Sequence, residues 1–380
     1  MATIAVMETQ FAEQFRESIK RETHAGLKKL REDAFAAFSL SGFPTLHDED
    51  WKYTSIASLV AGQWSVVSRQ DNSRDSNDLD LIERFNFRRN GFAALNLAFA
   101  DIKVVRIPKE TSVEEPIEFH FAVDENTAIF PHILVIAEAG SKATIVESYA
   151  STAKSFTNSA VQIFVEDNAS LTHYRVQKDA PDAFNIGTTE VTLGRGSRYD
   201  STNINLGSAL SRHDIDLKFT AEGAEAFVDG LYMLNGSQHH DTHSIIDHMV
   251  PNCISHQTYK GVLNDTSRGV FNGKVFVREN AHGTDAQQSN KNLLLSDTAR
   301  VDTKPQLEIF NDDVKCSHGA TVGQLEEEEL FYLLTRGLPR RLAKNLLTYG
   351  FAEEVINKIE IESIKKDLDA TVLNRLGAEI

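Results

Sequence analysis

The chain has 380 residues, 41% hydrophobic and 25% charged, the proportions of an ordinary soluble globular protein with room for two or three substructures. A net charge of −16 argues against nucleic acid or an anionic membrane surface as partner, and no run approaches the roughly 18 apolar residues that a membrane-spanning helix needs. The N-terminal residues lack a basic region followed by an apolar one, and Glu8, Glu13 and Glu17 break a transit-peptide pattern, so no targeting segment is expected and the cytoplasm is the expected compartment.

Residues 8 to about 40 are predicted helical. Phe11, Phe15 and Ile19 recur at i, i+4 and i+8, and Leu27 and Leu30 roughly continue the stripe. Ser41-Gly42-Phe43-Pro44 should end the element. Trp51 and Tyr53 follow, read as aromatic anchors that fix the N-terminal helix to the body. Residues 65–80, with Ser68, Gln70, Asp71, Asn72, Ser73, Asp75, Ser76 and Asn77, are polar and predict a surface loop.

From about 90 to 310 the pattern changes to short runs rich in Val, Ile, Phe and Thr, separated by Gly, Asn, Asp and Ser. Examples are 132–138, 161–166, 188–193, 215–220 and 270–277. A weak internal repeat runs through them. A small or turn residue introduces an alternating strand at Gly140, Asn168, Gly196 and Gly223, and the pattern is read again at 266–270 and 298–301 with longer spacings. A repeat of this kind suggests a solenoid, in which stacked coils share one core. A β-helix fits the in-phase turns better than an antiparallel sandwich.

Within this region Gln238-His239-His240-Asp241-Thr242-His243 is the densest polar cluster. On a strand His239, Asp241 and His243 would share a face and could bind zinc or a mononuclear iron, but a stacked, hydrogen-bonded polar ladder is the better reading. Cys253 and His256 follow Pro251 and read as core or turn residues. The chain carries no P-loop, no dinucleotide fingerprint after a strand and no G-x-S-x-G elbow.

Residues 302–323 form the joint between strands and helices. A Pro-punctuated turn opens a half-buried strand with Leu307 and Ile309 on one face, Val314 following. Cys316 and His318 stand two apart and project to one side of an extended segment. Thiolate and imidazole are ligands for iron–sulfur centres and for zinc, although spacing alone leaves a structural reading open. A helix start downstream would lower the thiol pKa. Cys253 and Cys316 are the only cysteines, so no cluster or structural zinc is held without His, carboxylate or a second chain.

From Gln324 helix returns. Glu326–Glu329 suit its start, Leu330, Phe331, Leu333 and Leu334 give an apolar face, and Gly337 suits its end. Pro339 restarts a helix carrying Leu342, Leu346 and Leu347, expected to close at Gly350; a third carries Val355, Ile359, Ile364, Leu368 and Val372. Three such helices could cap the solenoid and offer a docking surface.

The runs 302–309 (Asp-Thr-Lys-Pro-Gln-Leu-Glu-Ile) and 312–321 (Asp-Asp-Val-Lys-Cys-Ser-His-Gly-Ala-Thr) closely resemble the signature of the SufD branch of the SufB/SufD family, scaffold subunits of the Suf system for iron–sulfur cluster assembly. The resemblance extends to 331–337 (Phe-Tyr-Leu-Leu-Thr-Arg-Gly) and 48–54 (Asp-Glu-Asp-Trp-Lys-Tyr-Thr), and so covers most of the chain. It implies a mainly β protein with a right-handed parallel β-helix core flanked by N- and C-terminal helical regions, divided as 1–89, 90–323 and 324–380. It implies a non-catalytic scaffold in a complex with a SufB paralogue and the ATPase SufC; the sequence leaves open whether the chain alone forms a homodimer through the same edge. By the same resemblance His318, and more weakly Cys316, belong to cluster assembly at the SufB interface. Leu330, Phe331, Leu334, Arg336 and Gly337 belong to the SufC-docking surface. No cofactor is expected to stay bound; an iron–sulfur cluster would form transiently at the interface. SufB itself usually lacks the 315–321 run.

Two readings compete. A β-helix enzyme acting on acidic polysaccharide is poorly served, because adjacent Asp312 and Asp313 point to opposite faces and the chain is acidic. A β-helix metalloenzyme would centre on His239, Asp241 and His243.

Overall fold

The computed structural model describes residues 2–67 and 76–377. The polar residues from Ser68 to Asp75, read as loop, lie outside the described residues. At their borders the loop reading gives way to a short strand, Ser65–Val67, and a helix, Ser76–Ile82.

Two parallel sheets make the body, one of ten strands and one of eight. Every named strand pair among the described residues is parallel. From Pro131 onward successive strands alternate between the sheets, so each pair of strands is one coil stacked in register on the last. This is a parallel β-helix with eight turns counted on the smaller sheet, as the repeat implied. The predicted strands coincide with Pro131–Ala137, Phe156–Val165, Phe184–Leu193, Leu210–Phe219 and Arg268–Val277, the first, second and fourth predictions running one residue past the strand end.

Gly140, Asn168, Gly196 and Gly223 occupy one corner, all in the left-handed region with φ between 58° and 74°. Gly or Asn enters that region at least cost, which is why a weak repeat was legible there. Each backbone N–H of Gly140, Asn168 and Gly196 donates to a carbonyl of the next coil, on Asp167, Arg195 and Glu222. The column continues at Asn252 and Gly283, bonded to His282 and Asp313. The stretches 266–270 and 298–301 are therefore not its continuation. They form the other corner and lead into Arg268–Val277 and Arg300–Ile309 of the larger sheet, hence their discordant spacing.

Helices cover the outer faces. The N-terminal segment is two helices, Ala2–Ser18 and Ala25–Ser41, rather than one; His24 Nδ1 accepts the Leu27 N–H and caps the second. The break explains why the Leu27/Leu30 stripe fits only roughly. Gly42, φ 64°, ends the second helix as predicted. Helix Gly91–Phe99 was not foreseen: all nine of its residues are buried, so it carries no amphipathic period. Together these helices bury Leu134, Ile136, Phe156, Phe184 and Leu210 on the outside of the larger sheet.

The C-terminal helices do not cap the solenoid. Glu327–Thr335, Arg340–Ile356 and Glu362–Arg375 lie along its flank, with Ala352, Val355, Ile356, Ile359, Leu368 and Val372 packed on Val146, Tyr174, Val176, Leu231 and Met233 of the smaller sheet. Those outward apolar residues draw the helices sideways and leave the last coil open. Gly337, φ 89°, follows the first of the three helices as predicted, but Gly350 sits inside the second, where its missing Cβ meets open space. Lys260 Nζ donates to Phe351 O and pairs with Glu354, and Lys358 Nζ reaches Asp229 Oδ2 at 2.7 Å, fixing the flank orientation.

Candidate functional site

The open end consists of Arg300–Ile309 and Val314–Gly323. Among the described residues each pairs on one side only, with Arg268–Val277 and Thr284–Leu294 respectively, and each leaves a free edge. Pro305 is not in a turn. It lies within the first of these strands, opposite Gly273, where an edge tolerates the missing N–H. Lys304, Pro305 and Glu308 guard that edge against pairing, while Val314–Gly323 carries Lys315 as its one charge and no proline.

Register fixes where Cys316 and His318 point. Cys316 lies beside Ala286, and His318 beside Gln288 and then Gln257 one coil further in. Ala286, Gln288 and Gln257 are buried inside the solenoid, so Cys316 and His318 are the last members of two interior columns. Among the described residues no further coil covers them: Cys316 is half-buried against the inner apolar core, and His318 is exposed. Gln288 Nε2 donates to Gln257 Oε1 at 2.7 Å, and that amide bonds Ser244, so a polar row runs inward from His318. Ile309, Phe310 and Val322 form an exposed apolar rim, 41%, 56% and 49% accessible. Burial, followed by Asp285, raises the Cys316 thiol pKa; Ala286 opposes it. A helix end does not lower it, since strand continues to Gly323 and the next helix begins only at Glu327.

Of the other predicted residues, Leu330 is buried, Leu334 is half-buried, and Phe331, Arg336 and Gly337 are exposed. Phe331, Tyr332, Leu342 and Leu346 are 48–68% accessible and belong to two helices in succession.

The histidine strand, His239–His248, is a ladder with both faces committed. Outward, Arg212 Nη1 donates to Asp241 Oδ2 at 2.7 Å, and Thr54 Oγ1 donates to the same oxygen. His243 Nε2 stands 3.0 Å from Asp241 Oδ1, and His239 Nε2 bonds Thr54. Arg212 also binds Asp214 and the Asp50 carbonyl, and its guanidinium lies 4.0 Å over the Trp51 ring. Trp51 thus anchors the N-terminal layer, as expected, through a cation rather than by packing alone. Inward, His240 bonds Ser211 and Thr242. Among the described residues no three His, Cys, Asp or Glu side chains converge as a metal group. Cys253 is buried, its Sγ directed at the Pro251 and Ala221 carbonyls, and His256 is partly exposed beside Phe227. Sequence reasoning missed Arg212 and the Gln257–Gln288–His318 row; the row's spacing of about thirty residues was its available signal.

Burial lowers the His240 imidazole to about 3 and the His248 imidazole to about 4, so both are neutral in the fold. Their unfolded pKa is higher, near 6.5, so this contribution is full above that value and is lost as pH falls toward 3. The urea midpoint is expected to fall between pH 7 and pH 5, and to fall less in His240→Gln. Glu190, raised to about 7 by burial and then by Asp216, acts oppositely, which is why the variant rather than the wild type alone is the comparison.

Comparison with known proteins accords with this architecture. Residues 120–351 match the family model described as the SufBD core domain of SUF system FeS cluster assembly, and residues 6–83 match the SufBD protein N-terminal region. A SufBD family iron–sulfur cluster assembly protein of Synechocystis is 40% identical over 288 residues, covering 72% of this chain and 64% of that protein. Iron–sulfur cluster assembly protein SufD of Escherichia coli is 36% identical over 253 residues, covering 66% and 60%, and SufD of Bacillus subtilis 29% over 313, covering 77% and 70%. The chain thus spans less than two thirds of the first two relatives. The chain belongs to the SufBD family.

Proposed function

We propose that this SufBD-family chain is a scaffold subunit that takes a non-catalytic part in iron–sulfur cluster assembly, joined to a SufB-type paralogue through its open β-helix end and to a SufC-type ATPase through its C-terminal helices. The observation that carries the reading is the uncapped last coil. Two free strand edges, an apolar rim and the exposed His318 imidazole meet there; a second β-helix set against them would pair the unguarded Val314–Gly323 edge and cover the rim. His318, with Cys316 behind it, would supply ligands to a nascent cluster whose remaining ligands come from the paralogue. The cluster is cargo, and no resident cofactor is needed. The exposed Phe331, Tyr332, Leu342 and Leu346 would seat the ATPase, whose closure would open the joint to iron and sulfide. The expected setting is the cytoplasm; no described helix is long and apolar enough to cross a membrane.

The test is anaerobic affinity purification of the tagged chain from its host. A P-loop ATPase and a longer relative of this chain are expected to co-purify. Phe331→Ser with Leu346→Ser should release the ATPase while leaving stability within about 0.5 kcal/mol, because both side chains face solvent. Deleting the C-terminal helices is a poorer test, since it would expose the apolar flank formed by Val146, Tyr174, Val176, Leu231 and Met233. Recovery of the chain alone with one equivalent of metal would contradict the scaffold and favour the histidine strand as a metal site.

A further inference from the structure

The opposite end of the smaller sheet holds a constellation that cluster assembly does not use. Its first strand, Ile117–Val123, places Glu118 and His120 two apart on the outer face, and register sets His120 beside Ser148 of Lys142–Ser151. Ser148 Oγ lies 2.6 Å from His120 Nδ1, and His120 Nε2 lies 2.8 Å from Glu118 Oε2. A carboxylate only accepts, so Nε2 carries the proton and Nδ1 presents its lone pair to the serine hydroxyl. The three groups border a cleft of about 410 Å³ between this sheet and helix Glu362–Arg375, walled by Val146, Val176 and Ile364. Lys178, bonded to Asp367 and Thr371, adds a cation at the same cleft.

We propose that Ser148, His120 and Glu118 form an acyl-transfer site that accepts small apolar acyl esters, an activity separate from the scaffold role. Ser148 Oγ bonds to the ester carbonyl carbon while its proton passes to His120 Nδ1. The tetrahedral adduct then expels the alcohol, which takes that proton. Water, deprotonated by His120, releases the carboxylic acid and restores the serine. Val146, Val176 and Ile364 take the acyl chain, and the Lys178 ammonium, at the same cleft, supplies positive charge for the oxyanion that develops. The site lacks a nucleophile elbow because the serine sits on a regular strand, so no sequence motif announces it.

The full-length chain is incubated with a fluorophosphonate probe and, separately, with p-nitrophenyl acetate, and modified peptides are mapped by mass spectrometry. The probe is expected on half-buried Ser148 in preference to the exposed serines. Ester turnover should disappear in Ser148→Ala, and His120→Ala should slow labelling about a hundredfold or more. Glu118→Gln should slow it less and alter its pH profile, the signature of a positioning residue. His120 and Glu118 are exposed, so unchanged circular dichroism is expected and keeps the comparison valid. Labelling of Ser148 no faster than of other serines, or at an equal rate without His120, overturns the proposal.

Discussion

Replacing Arg212 with alanine is expected to destabilise the fold by about 3–5 kcal/mol, the range for removing one partner of a buried ionic network. Arg212, Asp214 and Asp241 are each about 1% accessible, and the guanidinium is the principal charge holding both carboxylates in place. Burial would raise the Asp241 carboxyl; Arg212 and then His243 outweigh it and hold it well below the usual carboxylate range. Without the guanidinium, Asp241 and Asp214 would be left buried with only His243 and the more distant Arg89 to offset them, and Trp51 would lose the cation against its ring. Arg212→Lys should recover only part of the loss, because an ammonium cannot bind Asp214, Asp241 and the Asp50 carbonyl while stacking flat on indole. Urea unfolding at pH 7 measures it. An unchanged midpoint in Arg212→Ala would show that the N-terminal layer is held by its apolar contacts alone.

His318→Ala is expected to abolish cluster formation in the assembled complex and to leave the isolated chain's unfolding midpoint unchanged. No side-chain hydrogen bond joins the His318 imidazole to a described residue, and the ring borders solvent, so little folding energy depends on it. Cys316→Ser should have the smaller functional effect and a measurable stability effect, because its half-buried sulfur packs on the inner core. Cluster formation is read by the visible absorbance of anaerobically reconstituted complex. Wild-type yield from His318→Ala would remove the imidazole from the assembly role while leaving the interface reading intact.

These expectations show where the sequence was legible. The corner column at Gly140, Asn168, Gly196 and Gly223 could be read because left-handed backbone selects Gly and Asn. The same column was lost at Asn252 and Gly283, whose flanking residues differ, and a look-alike at the other corner was followed instead. Helix Gly91–Phe99 was invisible because burial on all sides erases periodicity. Pro305 reads as a turn in the sequence because an edge strand cannot be told from a turn without knowing that nothing pairs beyond it. The side-by-side placement of Cys316 and His318 follows from strand period. Their position at the end of interior columns does not, because register with Ala286 and Gln288 is set by coils thirty residues away. The flank position of the C-terminal helices depends likewise on outward apolar residues scattered from Val146 to Met233.

In the proposed complex the last coil is completed by another chain. Hydrogen–deuterium exchange of residues 314–323, compared between the isolated chain and the co-purified complex, tests it most directly. Amides facing the free edge should exchange quickly in the isolated chain and become strongly protected in the complex, while those bonded to Thr284–Leu294 stay slow in both. Equal exchange in the two states would mean that the edge stays open and that the partner docks elsewhere.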